Sequence, residues 1–207
     1  MIRTEEEHMA EREMVRRTEV AVGAAGWEQR AVSAVIGVAA FVVMTALGGH
    51  VRIPLPWTPV PITLQTFFVH LAGATLGPVL GPVSQGLYCL VGAAGLPVFA
   101  GGASGLAYLA GPTAGYLVGF IVATALVGWL IRLRDAPGIL WILGSMAAGS
   151  LVVYACGVSW LAWTLRLGPV GAMTQGMLPF LAGDVVKTCT AAGLFRSYRR
   201  RARVVFP

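Results

Sequence analysis

Charge is scarce in this sequence, and negative charge is scarcest. Only 12% of the 207 residues are charged, against about a quarter in a typical soluble domain. Of the nine acidic residues, Glu5, Glu6, Glu7, Glu11, Glu13, Glu19 and Glu28 fall before position 29, which leaves Asp135 and Asp184 for everything after. A soluble domain with a charged, solvated surface is excluded on that ground. Asparagine is absent and lysine occurs once, as Lys187. The three cysteines, Cys89, Cys156 and Cys189, sit singly in apolar runs, which excludes a disulfide scaffold and a zinc cluster and leaves them as small hydrophobes. His8, His50 and His70 have no metal-ligand spacing, and His70 reads as a packed residue. No GxxxxGK[ST], HExxH or GxSxG run occurs, so nucleotide hydrolysis through a phosphate loop and the common hydrolase chemistries have no seat here. The expectation is a protein that is not an enzyme and has no cofactor and no metal.

Apolar residues are what is abundant. They make up 57% of the chain, with 27 glycines and 12 prolines dispersed among them, and the mean hydropathy is +0.75. That composition belongs to an all-α, multi-pass membrane protein. Six apolar stretches qualify as spans, at about 31–47, 62–76, 79–95, 113–131, 139–160 and 175–195. Only Gly77-Pro78 separates the second from the third, so those two form a tight hairpin. The net charge of +6 does not indicate nucleic acid, because the arginines gather at the chain ends and between spans. With both termini cytoplasmic, the inner side receives Arg3, Arg12, Arg16, Arg17, Arg30, Arg132, Arg134, Arg196, Arg199, Arg200, Arg201 and Arg203; the outer side receives Arg52 and Arg166. This is a strong positive-inside bias. The chain therefore divides into a charged cytoplasmic tail over 1–30, a membrane domain over 31–195 and a basic cytoplasmic tail over 196–207. The first 28 residues are too acidic and too long in charge for a secretory signal.

Two outward connections carry unusual composition. GGHVRIPLPWTPVP is stiffened by Pro54, Pro56, Trp57, Pro59 and Pro61, and LPVFAGGASGLAYLAGP is rich in glycine. Both are apolar enough to cover the bundle rather than float above it. Inside the membrane, only the last span carries charges well within it. Asp184 and Lys187 are three apart and share a helical face, roughly 13 Å along a helix from Gln175. A charge at that depth costs on the order of 2.5–3.5 kcal/mol on insertion scales, so it marks either a function or a partner. Two readings stand side by side: a ligand site, or an ion pair that only locks helices. Pro179 and Gly183 loosen the helix beside the pair, which suits a cavity wall. Thr63, Gln65, Gln85, Tyr88, Tyr116 and Gln175 are further polar candidates in the outer half. Ser33 and Gly37 form a small-xxx-small pair in the first span, suited to helix packing within the bundle or to a partner.

Four runs in order then become recognisable. PVPITLQT (59–66), GLPVFAGG (95–102), GPTAGY (111–116) and LAGDVVK (181–187) together resemble the BioY family, the biotin-specific S components of energy-coupling factor transporters. The resemblance covers about 31–195. It implies a six-helix S-component bundle in the bacterial plasma membrane, with biotin bound near the outer face. It also implies partners: a transmembrane T component and two ATPase subunits, in keeping with the missing nucleotide motif. Biotin carries a ureido head, an apolar thioether ring and an anionic tail. The resemblance then places Asp184 as acceptor and Lys187 as donor on the ureido head. The opposite polarity, with Lys187 on the tail carboxylate, stays open. The tail would meet loop amides or the hydroxyls of Ser104 and Thr113, with walls from Trp57, Tyr88, Phe99 and Tyr116. Some relatives use asparagine and arginine near that loop. This chain has neither there, so the contact falls to Gln85, Ser104 or Tyr116. A biotin-capture subunit leads; a standalone biotin transporter and a structural protein with a locking ion pair are the alternatives.

Overall fold

A computed structural model describes the backbone of residues 5–206 and the side chains of 27–203, 205 and 206. Arg3 and the side chains of His8, Arg12, Arg16 and Arg17, counted above, lie outside the described residues. The elements are α1 (Glu5–His50), β1 (Arg52–Leu55), β2 (Thr58–Thr63), α2 (Gln65–Ala93), α3 (Leu106–Leu109), α4 (Ala114–Arg132), α5 (Ile139–Leu165), α6 (Pro169–Gly176) and α7 (Leu181–Val205). A single 3-10 turn, Leu178–Phe180, joins α6 to α7. Five stretches are long and apolar enough to cross a membrane: Trp27–His50, Gln65–Ala93, Ala114–Arg132, Ile139–Leu165 and Pro169–Arg203. The helices α1 and α7 run without a break through the boundaries expected near residues 30 and 195.

The second of these stretches is not one rod. Gly77 has φ 84 and ψ −168, a conformation essentially confined to glycine. Gln65 Nε2 donates to the Tyr88 hydroxyl at 2.6 Å, whereas a straight helix would hold those residues roughly 34 Å apart. The chain therefore doubles back at Gly77-Pro78 into two antiparallel arms, 65–76 and 78–93. This is the tight hairpin expected from sequence, and it makes six helical rods from five continuous stretches.

The rods pack through small residues, as they must where lipid tails compete equally for apolar surface. A Cβ on Gly73 would lie 2.7 Å from the Thr124 carbonyl oxygen, and one on Gly128 would lie 2.4 Å from the carbonyl carbon of Gly77. A Cβ on Gly119 would meet the Val153 backbone at 2.9 Å. Helix α4 is thus wedged between α2 and α5 at backbone contact. One core cluster, with Leu71, Leu76, Ile131, Ile142, Met146 and Phe195, fills one end of the bundle. A second, with Val69, Tyr88, Phe99, Phe120, Val153 and Phe180, fills the other. Gly37 faces Leu76 and the Phe206 ring, so the small-residue surface of α1 is used within the described bundle.

Arginines close the end formed by the first cluster. Arg132 donates to the carbonyls of Leu76 (3.3 Å) and Phe206 (2.8 Å). Arg203 donates to the Ile131 carbonyl at 3.0 Å and pairs with Asp135 at 3.7 Å. Arg199 donates to the Pro137 carbonyl, and the Arg134 guanidinium lies 4.0 Å over the Trp141 ring. Cationic caps on helix C-terminal carbonyls are favourable, and here they fasten the end of α7 to the α4–α5 connection.

The reversal at Gly77 yields a stability prediction. Gly128→Ala is expected to lower the thermal midpoint of the detergent-solubilised protein by roughly 3–10 °C through overpacking. Gly86→Ala, whose Cβ meets nothing within 4 Å, should leave it unchanged or raise it. Paired melting curves check both; equal midpoints for the two variants would contradict the close approach of α4 to the turn.

Candidate functional site

The site is assembled at the end opposite the arginine clamp, beneath two connections. The first, expected as a stiff, extended segment, is a β-hairpin. Strands β1 and β2 pair antiparallel, Arg52 opposite Thr63 and Ile53 opposite Ile62, with an irregularity between Ile53 and Leu55. A two-stranded ribbon tolerates so many prolines because every strand is an edge and proline nitrogens can face outward. An isolated ribbon is barely stable, and this one is fastened at four points. Leu64 N–H donates to the Gly48 carbonyl at 3.0 Å. The Thr58 hydroxyl donates to the Gln175 carbonyl at 2.9 Å, Val60 is buried, and Lys187 reaches the Thr63 carbonyl at 2.9 Å. The hairpin lies down on the bundle, as its apolar composition suggested.

The glycine-rich connection is anchored by Phe99, which is fully buried. Its ring stacks on Tyr108 (4.7 Å between centroids, 12° between planes) and meets Tyr88 edge-on at 5.6 Å. The Trp160 indole N–H donates to the Gly111 carbonyl at 2.9 Å and ties the loop's end to α5.

Below these covers lies the charged pair. Asp184 and Lys187 form an ion pair one helical turn apart on α7, both largely buried. Asp184 also accepts from the Thr66 hydroxyl at 3.1 Å and, through its other oxygen, from the Tyr154 hydroxyl. The carboxylate thus has three partners from three rods: α7 itself, the first arm of α2, and α5. Three donors on one carboxylate and two acceptors on one ammonium make the burial affordable in an apolar bundle.

The pair faces a chamber that opens between the hairpin, the glycine-rich loop and the helices. Its roof comes from Val60, Pro61 and Thr63 of the hairpin and from Ala100, Tyr108 and Thr113 of the loop. Its walls are Gln65 and Thr66, Tyr116, Leu117 and Phe120, then Val153, Tyr154 and Phe180. The lining is apolar with a few convergent polar groups, and Asp184 and Lys187 are its only charges. Tyr116 is held in place by donating its hydroxyl to the Gly176 carbonyl at 2.7 Å.

Four of the nine residues expected from sequence line this chamber: Asp184, Lys187, Thr113 and Tyr116. The other five stand elsewhere. Trp57 sits at the hairpin tip, 59% exposed, because the turn carries it away from the bundle. Ser104 is exposed on the loop. Gln85 is fully buried against Thr45 (3.3 Å) and Ser84 (3.2 Å), since its helical phase points toward α1. Tyr88 and Phe99 lie one layer behind the wall. Tyr88 accepts from Gln65 and donates to the Val98 carbonyl at 3.1 Å, so it aims Gln65 rather than lining the space. Sequence reasoning did not single out Tyr154, whose signal was the one tyrosine in an apolar fifth span. It also missed Thr66, although that residue lies inside the PVPITLQT run. His70 is fully buried with Nε2 3.1 Å from the Ser150 hydroxyl. Among the described residues no group of three or more His, Cys, Asp or Glu is placed to hold a metal.

The sequence and the overall fold have known counterparts. Residues 17–204 match the sequence profile of the BioY family. A Thermotoga maritima protein named biotin transporter BioY is 39% identical over 152 residues, covering 73% of this chain and 87% of the relative. A Rhizobium etli protein of the same name is 38% identical over 162 residues, covering 75% of this chain and 86% of the relative. The fold is similar to a crystal structure at 2.1 Å of the S-component for biotin from an ECF-type ABC transporter. That match has a TM-score of 0.78 at 25% identity and covers 85% of this chain and 96% of the other. With its family profile spanning nearly the whole sequence and relatives of this identity covered almost end to end, the chain belongs to the BioY family of membrane transport proteins.

Proposed function

We propose that this chain is the biotin-capture subunit of an energy-coupling factor transporter in the plasma membrane. The observation that carries this reading is the buried Asp184–Lys187 pair at the head of a covered apolar chamber, in a chain of this family. Counting hydrogen-bond capacity sharpens it. A carboxylate has about four acceptor positions and an ammonium three donors. Asp184 uses three positions (Thr66, Tyr154, Lys187) and Lys187 uses two donors (Asp184, the Thr63 carbonyl). One acceptor and one donor are left side by side. That pattern complements an N–H beside a C=O, the edge of a cyclic urea. Asp184 would accept from the ureido N–H and Lys187 would donate to the ureido carbonyl. The thioether ring would pack on Phe120, Tyr116 and Phe180.

The rods at Gly77 support six crossings with both termini cytoplasmic. In that orientation the clamp of Arg132, Arg134, Arg199 and Arg203 faces the cytoplasm, and the chamber opens at the arginine-poor outer end, in keeping with the positive-inside rule. The described chain offers no nucleotide loop, so inward delivery would draw on a T component and two ATPase subunits. A second reading has one observation behind it. Asp184 and Lys187 also tie α7 to α5, α2 and the hairpin, as a purely locking pair would.

Calorimetry on the purified chain separates the two. Asp184→Asn and Lys187→Met are each expected to weaken biotin binding about 100-fold while the protein stays folded, the worth of a charged hydrogen bond plus the partner left unpaired. Folded variants that bind biotin as tightly as the parent would leave only the locking role. Tyr154→Phe removes one donor to the carboxylate and should cost roughly 10-fold in affinity, read in the same titration. Reconstituted into vesicles, the chain should accumulate biotin only when the T component and both ATPases are present. Accumulation by the chain alone would instead favour the standalone transporter.

A further inference from the structure

The inner chamber has a charge inventory that leaves half of an anionic ligand unanswered. Asp184 and Lys187 neutralise each other, and among the described residues no other charged side chain lines it. A second chamber adjoins it, between the hairpin and the glycine-rich loop. Pro61, Ala100, Tyr108 and Thr113 line both, so the two are successive compartments of one path. The second compartment has a single charged lining residue, Arg52.

Arg52 is built into this position. It opens β1, directly across the ladder from Thr63, whose carbonyl accepts from Lys187 at 2.9 Å. Antiparallel partners stand about 4.5–5.5 Å apart between Cα atoms, so the hairpin fixes Arg52 one strand-width from the inner anchor. Its guanidinium rests on Gly101, which has φ 74. A Cβ there would come within 2.2 Å of an Arg52 terminal nitrogen. Gly101 N–H in turn donates to the Gly49 carbonyl at 3.1 Å, which holds the loop against the hairpin root. Among the described residues Arg52 has no carboxylate partner. A planar guanidinium with free donors at the mouth of an apolar path is suited to bidentate capture of a carboxylate.

From these placements we propose that Arg52 is the specificity residue for the anionic end of the ligand. An elongated molecule would seat its neutral hydrogen-bonding head at Asp184–Lys187 and extend its carboxylate outward to Arg52. The site then selects molecules that combine a urea-like head with a terminal carboxylate one chain-length away. This rests on the biotin reading and adds the residue that reads the tail, a role that falls on the hairpin because the loop has no basic residue.

The test compares biotin with biotinamide, which keeps the head and neutralises the tail, by calorimetry on the full chain and on Arg52→Gln and Arg52→Lys. The wild type is expected to prefer biotin over biotinamide by about 10-fold or more, the range of one charge-assisted bidentate contact. Arg52→Gln should lose that preference through weaker biotin binding, with biotinamide affinity unchanged, and Arg52→Lys should keep part of it. If Arg52→Gln discriminates as the wild type does, the role of Arg52 is overturned while the biotin reading stands. If the wild type binds neither compound, the biotin reading falls and this assignment with it.

Discussion

Everything at the chamber end of this molecule hangs on one buried ammonium. Lys187 is the only lysine in the chain, and it does two jobs at once: it neutralises Asp184 and it holds the carbonyl of Thr63. The first makes a carboxylate tolerable inside an apolar bundle. The second pins the last residue of β2, and with it the ribbon that roofs the chamber. A ribbon of two strands does not hold itself, and an ion pair left half-satisfied in low dielectric is worse than none. Each feature stabilises the other, so the covering and the charged floor stand or fall together. Thr66 and Tyr154 complete the network from two further rods, which ties the pair to the packing of the chamber end of the bundle.

The bundle beneath supplies rigidity by a different route. With no hydrophobic driving force between helices in lipid, close backbone approach must do the holding. Gly73, Gly119 and Gly128 let α4 touch its neighbours at backbone distance, and the reversal at Gly77 is pressed directly on Gly128. The same wedge sets the height of Tyr116 on α4, whose hydroxyl grips the Gly176 carbonyl where α6 gives way to α7. The kink at 177–180 in turn delivers Phe180 and Asp184 to the chamber. Small residues at one end of the bundle thus determine the position of aromatic and charged groups at the other.

The sequence made some of this legible and hid the rest for identifiable reasons. Asp184 and Lys187 were readable because a charge in an apolar span has few explanations, and their spacing put them on one face. Gly77-Pro78 was readable because the chain had no other residues with which to turn. Trp57 and Ser104 stand away from the chamber; a loop's composition says that it covers something without saying which side chains point down. Gln85 and Tyr88 were misplaced by helical phase. Polar residues on a span mark some interior contact, and only packing decides whether that contact is Thr45, Gln65 or open space. Tyr154 escaped because one hydroxyl among apolar residues resembles an ordinary bundle hydrogen bond. The Thr63 contact escaped because a backbone carbonyl has no side-chain signature. The membrane-buried arms of α2, at 65–76 and 78–93, were readable as two elements only because the turn between them is so short.

The network also satisfies the charged pair from within the protein. Asp184 and Lys187 are partnered by the protein's own hydroxyls and carbonyl, so neither charge is orphaned by the fold. A ligand in the proposed pose adds to capacity that is left over; it does not have to replace partners that the fold needs. The cost of binding is then mostly the ordering of the ligand and of the two covers, and the covers are already fastened by Phe99, Val60 and Thr58. The same ammonium would touch the ligand and the root of the roof. In that pose a change at the ligand end would be felt, through one Nζ atom, at the strand that roofs the chamber.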